Sequence, residues 1–280
     1  MKHFQRHPIA KYTTLKVGGY ADNFYIPNDR EELTELIQSF GSHQFLLLGN
    51  GSNIFIKSKR IKKPVLMTNK SLKDVDIDAT TGKLRVGAGV DIRKMIADCL
   101  RVGLRAPVEL LTIPATVGGA VYMNAGRTSM NSSISDNLIE VEVFDGKHFT
   151  TLSRKECTFS HRYSVFHRRP QTTILSATFQ YDRIPSDVIQ SLKRTSIEAA
   201  KDKDYRNLAS AGSVFKKCDY QLMQSLRGTG FRRTGFARNT PNCIVNYGDA
   251  YAWQISALLA YAYVSHRLRG KQAILEWQVW

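Results

Sequence analysis

Apolar and polar positions along this chain change period several times, and each change predicts an element. In "NDREELTELIQSF" (28–40), Leu33, Leu36, Ile37 and Phe40 recur at helical spacing. Asn28 is the expected cap, with Glu31 three positions on in a capping-box-like arrangement. "FLLLGNGSNIFI" (45–56) reads as strand, tight loop, strand, a βαβ-like alternation that predicts an α/β unit. "TGKLRVGAGVDIRKMIADCLRVGL" (81–104) reads as a strand and then a helix capped by Asp91. Ile92, Met95, Ile96, Cys99 and Leu100 form its apolar face, and Gly103 suits its stop. "LIEVEVFDGKHFTTLS" (138–153) alternates and turns at Asp145-Gly146, a strong hairpin signal, and "TTILSATFQYD" (172–182) is a further strand.

The pattern changes at Pro185. A helix capped by Ser186 ends in a charged tail at 201–204, the candidate domain boundary. "DAYAWQISALLAYAYVSHRL" (249–268) places Ile255, Leu258, Leu259, Ala262 and Tyr263 on one helical face. The chain closes on "ILEWQVW" (274–280), which alternates as a strand does. In a pleat, Glu276 and Gln278 point to the same side.

The 280 residues are 42% hydrophobic and 23% charged, enough for a sizeable core in one large domain or two to three small ones. The formal net charge of +16 attracts nucleic acid, anionic membranes or small polyanions such as nucleotides. The basic runs "KSKRIKK" (57–63) and "HRR" (167–169) come with no nucleic-acid motif and read as solvated faces, so no nucleic-acid partner is expected. The longest apolar run, "ISALLAYAYV" (255–264), is short of the ~20 residues of a bilayer span, and "MKHFQRHPIAKYTTLK" at the start lacks an apolar signal core. No membrane partner and a cytoplasmic location are therefore expected. Cys99, Cys157, Cys218 and Cys243 form no C-x-x-C pair and lie beside no histidine pair, which predicts reduced thiols and no metal site.

Three stretches carry small residues where a core would prefer large ones. In "GNGSN" (49–53), Gly49 and Gly51 permit positive φ and close approach, and Ser52 and Asn53 offer short hydrogen-bonding groups. Such a loop either cradles a phosphate through backbone N–H groups or makes an ordinary turn. It is not a G-x-G-x-x-G fingerprint. In "IPATVGGAVYMNAG" (113–126), Pro114 fixes the start, Gly118-Gly119 opens the backbone, and Ala115, Ala120 and Ala125 keep the surface flat. A rigid ligand could lie against that main chain, or the run is a tightly packed turn. In "ASAGSVFKK" (209–217), Ser213 sits in a small-residue loop, as a proton donor if a polarising group is near, or as a plain surface serine.

Together, and in this order, the three stretches resemble the UDP-N-acetylenolpyruvoylglucosamine reductase family, the FAD enzymes that make UDP-N-acetylmuramate for peptidoglycan. The family's G-x-G-S-N loop is matched by Gly49, Gly51, Ser52 and Asn53. Its I-P-G-x-V-G-G-A-V-x-M-N-A-G run is matched at Ile113, Pro114, Val117 through Val121 and Met123 through Gly126, with Ala115 in place of glycine. "TTLKVGGYADNFYIP" (13–27) resembles its opening segment. The resemblance implies an α+β fold of the FAD-binding, vanillyl-alcohol-oxidase or PCMH-like type. Its two FAD subdomains would be 1–70 and 71–184, followed by an α/β substrate domain at 185–280. The short spacing from "HRYSVFHRR" (161–169) to Ser213 implies the compact subtype.

The resemblance further implies FAD contacts from Gly49, Asn50, Gly51, Ser52, Asn53, Ile113, Pro114, Thr116, Gly118, Gly119 and Ala120. NADPH would be the reductant, and a UDP-sugar the substrate, held by Lys216 and Asn242. In the family a serine protonates the reduced substrate while an arginine and a glutamate stabilise the intermediate. The serine lands on Ser213. The arginine, in a Y-R-x-S-x-F segment, lands on Arg162 of "HRYSVF", where His161 replaces tyrosine. The glutamate of an L-E-x-E-V strand lands on Gln278 of "LEWQV", which keeps the shape but carries neither proton nor charge. A G-G-A-x-V-S-x-K-H-A-N-F-I-V-N stretch survives at its end as "NCIVN" (242–246), but "RRTGFARNTP" (232–241) puts Arg232 and Arg233 at the glycine positions. The expected function is thus an NADPH-dependent reductase impaired at Gln278. The alternative is a non-catalytic flavin- or sugar-nucleotide-binding member with a regulatory role.

Overall fold

The computed structural model describes residues 1–41, 45–198 and 207–280, so the charged tail at 201–204 lies outside the described residues. The chain forms two interleaved compact units. One comprises Met1–Phe4, Asn23–Asn50 and Lys63–Ala199, and the other Gln5–Asp22, Gly51–Lys62 and Ala200–Trp280. These limits differ from the expected segments 1–70, 71–184 and 185–280, because two short stretches early in the chain cluster with its C-terminal third.

Among the described residues the first unit holds two larger sheets, besides the short pair of Gly126–Arg127 with Ser132–Ser133. Residues Leu46–Leu48 and Phe24-Tyr25 flank Val65–Met67, all parallel. The other sheet is antiparallel, in the order Phe149–Ser153, Leu138–Phe144, Thr173–Gln180, Lys83–Gly87, Val75–Asp78. The Asp145-Gly146 turn joins two of its strands as expected, with Gly146 at φ +95° and Asp145 Oδ1 accepting the N–H groups of Lys147 and His148.

Four α-helices among the described residues belong to this unit: α1 (Arg30–Phe40), α2 (Ile92–Arg101), α3 (Val117–Met123) and α4 (Ser186–Glu198). Asp29, not Asn28, caps α1, its carboxylate accepting from Glu32 N–H. The shorter reach from an aspartate one residue later wins, and Asn28 instead donates to the Glu32 carboxylate. Asp91 caps α2 as expected, and Ile92, Met95, Ile96, Cys99 and Leu100 are all buried. At roughly 1.5–3 kcal/mol for each large side chain, that face fixes α2 to the sheet. Burial pushes the Cys99 thiol up to about 12 and the Cys157 thiol up to about 11, so both are neutral.

The second unit has a four-stranded antiparallel sheet in the order Ala209–Ser213, Cys243–Asn246, Thr234–Phe236, Gly230–Phe231. Helices α5 (Tyr220–Ser225) and α6 (Ala252–Leu268) belong to it. Ile255, Leu258, Leu259 and Ala262 of α6 are buried in its core with Phe215, Phe236, Ile244 and Trp277, while Tyr263 stays exposed. No helix among the described residues is long and apolar enough to cross a membrane. No group of three His, Cys, Asp or Glu side chains that could hold a metal ion occurs among them.

The closing stretch departs from the expected single strand. Ile274–Leu275 pairs with Phe215–Lys217, whereas Gln278–Val279 runs parallel to Ile54–Phe55. The strand breaks at Glu276 and Trp277 because each half takes its hydrogen bonds from a different neighbour. Glu276 N–H donates to Val214 O, and Gln278 N–H donates to Asn53 O.

Candidate active site

In the first unit, the first glycine-rich loop meets the second through Gly49. A Cβ there would lie 2.5 Å from Thr116 Oγ1, so only glycine permits the approach. Asn50 is clamped beside it: its amide nitrogen donates to Asp91 Oδ2 and its amide oxygen accepts from Asn69, both at 3.0 Å. Burial raises the Asp91 pKa, but donation from Arg93 and Asn50 outweighs it and holds the carboxyl below its ordinary value. Among the described residues the Asn69 amide oxygen is buried without a partner. An acceptor left in that state costs about 1–3 kcal/mol unless a ligand or water satisfies it.

The second glycine-rich stretch is a helix, not a turn. Thr116 caps α3, its hydroxyl accepting from Gly119 N–H at 3.2 Å. Val117 N–H donates to Val90 O and Gly118 N–H to Ala88 O. The first-turn donors are therefore spent within the protein. Ala120 is fully buried in the core and Gly119 is exposed, while Ile113 and Pro114 are half-buried ahead of the cap.

Arg162 is in the same unit. It adopts φ +52°, a left-handed conformation, and its guanidinium donates to Asn124 O at 3.3 Å and Gly126 O at 2.6 Å. Ser164 of the same motif donates to Tyr122 O at 2.6 Å, and the His167 ring stacks on Tyr122 at 4.2 Å. The motif thus locks onto the C-terminal end of α3. Arg162, His161, Asn124, Ser133 and Asp136 line a polar cleft of about 160 Å³. The Asn124 amide oxygen is buried there without a partner among the described residues.

In the second unit, Gly51 sits at φ +60°, and a Cβ there would lie 2.4 Å from Tyr12 O. The N–H groups of Gly51, Ser52 and Asn53 have no acceptor among the described residues. Three successive donors of this kind make an anion-binding concavity. The Asn53 side chain turns away from it and donates to Glu276 O at 3.1 Å. Together with the Asn53 carbonyl that accepts from Gln278 N–H at 2.9 Å, it clamps the terminal strand on both sides of Trp277.

Ser213 is not in a loop but ends the strand Ala209–Ser213, exposed, with Cys243 as its register partner and Gly212 at φ +72°. Val214 follows and accepts from Glu276 N–H, so one hydrogen bond separates the serine's segment from the terminal strand. Asn242 holds that corner: its amide accepts from Phe215 N–H at 2.9 Å and donates to Phe215 O at 2.7 Å. Lys216 is half-buried in the next strand. Arg233 lies over the Tyr251 ring at 5.2 Å and donates to Asp249 O at 3.3 Å, which fixes the altered 232–241 stretch on the start of α6.

Comparison with known proteins decides the family. Residues 21–148 match the FAD binding domain family. The chain is 30% identical to UDP-N-acetylenolpyruvoylglucosamine reductase of Fervidobacterium nodosum, with 99% of this chain and 91% of that protein covered. It is 32% identical to the reductase of the same name from Prochlorococcus marinus, over 90% of this chain and 87% of that one. This chain belongs to the UDP-N-acetylenolpyruvoylglucosamine reductase family. The family's crystal structure from Thermus caldophilus superimposes with a TM-score of 0.79 at 28% identity, covering 100% of this chain and 98% of that one. The fold is therefore the α+β FAD-binding type implied by the motifs.

Some contacts around these loops carried no signal in the sequence. Asn69 and Asp91 meet Asn50 from 19 and 41 positions away. The Asn53 clamp joins residues 223 positions apart. Pairings at such separations leave no local pattern.

Proposed function

We propose that this chain is an FAD-dependent reductase that converts UDP-N-acetylenolpyruvoylglucosamine to UDP-N-acetylmuramate at the expense of NADPH. Family membership over the whole chain supports the reading. The observation that carries it is the run of free N–H donors at Gly51, Ser52 and Asn53, the kind of site that takes a diphosphate. The unpartnered Asn69 and Asn124 oxygens suit donors of a bound flavin nucleotide. Gly49 through Asn53 and the segment from Ile113 to Ala120 would hold FAD, with Gly118, Gly119 and Ala120 serving by packing and shape. When bound, FAD supplies the uptake of hydride from NADPH and its delivery to the enolpyruvyl double bond.

The protein's own groups do the rest. Ser213 delivers a proton to the carbon next to the one that receives hydride. Arg162 stabilises the enolate-like intermediate, its charge always present. Lys216 attracts the diphosphate, and Asn242 keeps the Ser213–Lys216 corner in shape. Gln278 offers a hydrogen bond where a carboxylate would offer charge. In functional terms we assign FAD binding to 1–70 and 71–184 and substrate binding to 185–280. Four free cysteines suit a reducing compartment, so the work is proposed to be cytoplasmic.

The test is anaerobic. Purified protein is expected to be yellow, to bleach on NADPH addition, and to recover colour when the enolpyruvyl substrate is added. Gly51→Ala is expected to weaken FAD binding and to cost about 1–3 kcal/mol of stability, because a side chain at φ +60° is strained and meets Tyr12 O. Fluorescence quenching of added FAD and a thermal melt measure both. Gln278 also favours a second reading, a non-catalytic binder of flavin or sugar nucleotide. Bleaching by NADPH with no substrate-driven recovery would support it.

A further inference from the structure

Helix α6 is apolar on both sides. Its inner face is the core already described. Its outer face exposes Trp253 (62%), Tyr261 (57%), Val264 (57%) and Leu268 (83%). Ala257 and Ala260 are exposed between them. At 100° per residue these six positions fall in a stripe roughly 100° wide, free of charge along its length. Phe231 meets the Trp253 ring edge-on with centroids 5.4 Å apart, and Trp253 still keeps 62% of its surface exposed. A surface helix keeps such a stripe only when something packs on it.

We propose that this stripe is the contact between two copies of the chain, paired antiparallel about a two-fold axis at the midpoint of Ala260 and Tyr261. The register argues for a second copy. Paired about that point, Trp253 faces the other copy's Leu268, Ala257 faces its Val264, and Ala260 faces its Tyr261. Each alanine meets a large side chain, so the stripe is complementary to itself, as a two-fold contact requires. Antiparallel pairing also aligns the dipoles of the two copies of α6 favourably. A lipid surface would satisfy the apolar stripe and the +16 charge, but it makes no demand for a large-against-small register.

The experiment is sedimentation equilibrium of the full chain with FAD. The expected mass is twice the 31.6 kDa of one chain. Val264→Asp and, as a second variant at the exposed end, Leu268→Glu are expected to halve it, with circular dichroism and thermal melting retained. Ala260→Cys is expected to give an oxidatively cross-linked pair, being next to the axis. Ala257→Cys is not, because its partner copy lies about 10 Å further along the helix, beyond disulfide reach. A wild-type chain that stays monomeric overturns the proposal. So does a dimer unaffected by both charge substitutions, or a monomer that instead sediments with phosphatidylserine vesicles.

Discussion

Gln278→Glu is expected to speed oxidation of the reduced flavoprotein by UDP-N-acetylenolpyruvoylglucosamine by ~10²–10⁴-fold, the worth of one acid–base or electrostatic group. Reduction by NADPH is expected to change little, because the carboxylate is proposed to act on the second substrate. The substitution is close to isosteric. The backbone of residue 278 is held by Asn53 O and by pairing with Ile54, neither of which depends on the side chain. The side chain is half-buried, so a new charge keeps contact with water and carries no heavy desolvation cost. Stopped-flow separates the two half-reactions. A variant that binds FAD, accepts hydride from NADPH and still gains nothing would place the defect in the 232–241 stretch. There Arg233 is committed to Tyr251 and the Asp249 carbonyl rather than to a loop built of glycines. The non-catalytic reading would then be the better one.

The parts of this fold that were legible in the sequence are those set by neighbours along the chain. The apolar face of α2, its Asp91 cap and the Asp145-Gly146 turn depend on residues within a few positions of one another. The parts that were not legible depend on distant partners. The Val117–Met123 run reads as loop because of its paired glycines. It folds as a helix because Ala88 and Val90 take its first N–H groups and Thr116 takes a third. "ILEWQVW" reads as one strand because its alternation is continuous. It is divided because Phe215 and Ile54 compete for its two halves. At the site, the motif G-x-G-S-N identified the loop but not the division of labour within it. The N–H groups of Gly51 through Asn53 find no acceptor among the described residues, whereas the Asn53 side chain serves the terminal strand. The outer stripe of α6 passed as part of an apolar run, since only the fold separates a buried face from an exposed one.

The proposed roles of the clamp and of the serine lead to the other large effect. Ser213→Ala is expected to slow substrate-driven oxidation of the reduced protein by ~10²–10⁴-fold and to leave NADPH reduction and the thermal melt unchanged. The hydroxyl is exposed, and the strand end is held by the Cys243 register and the Asn242 side chain, so alanine removes a proton donor without disturbing a partner. Ser213→Cys keeps a donor of weaker reach and is expected to recover part of the loss. The measurement belongs in two backgrounds. If Gln278 already limits the second half-reaction, the loss will be small in the native chain and large in Gln278→Glu, because groups that act together in one transition state are not additive. A loss absent from both backgrounds would return Ser213 to a surface serine and require another proton donor.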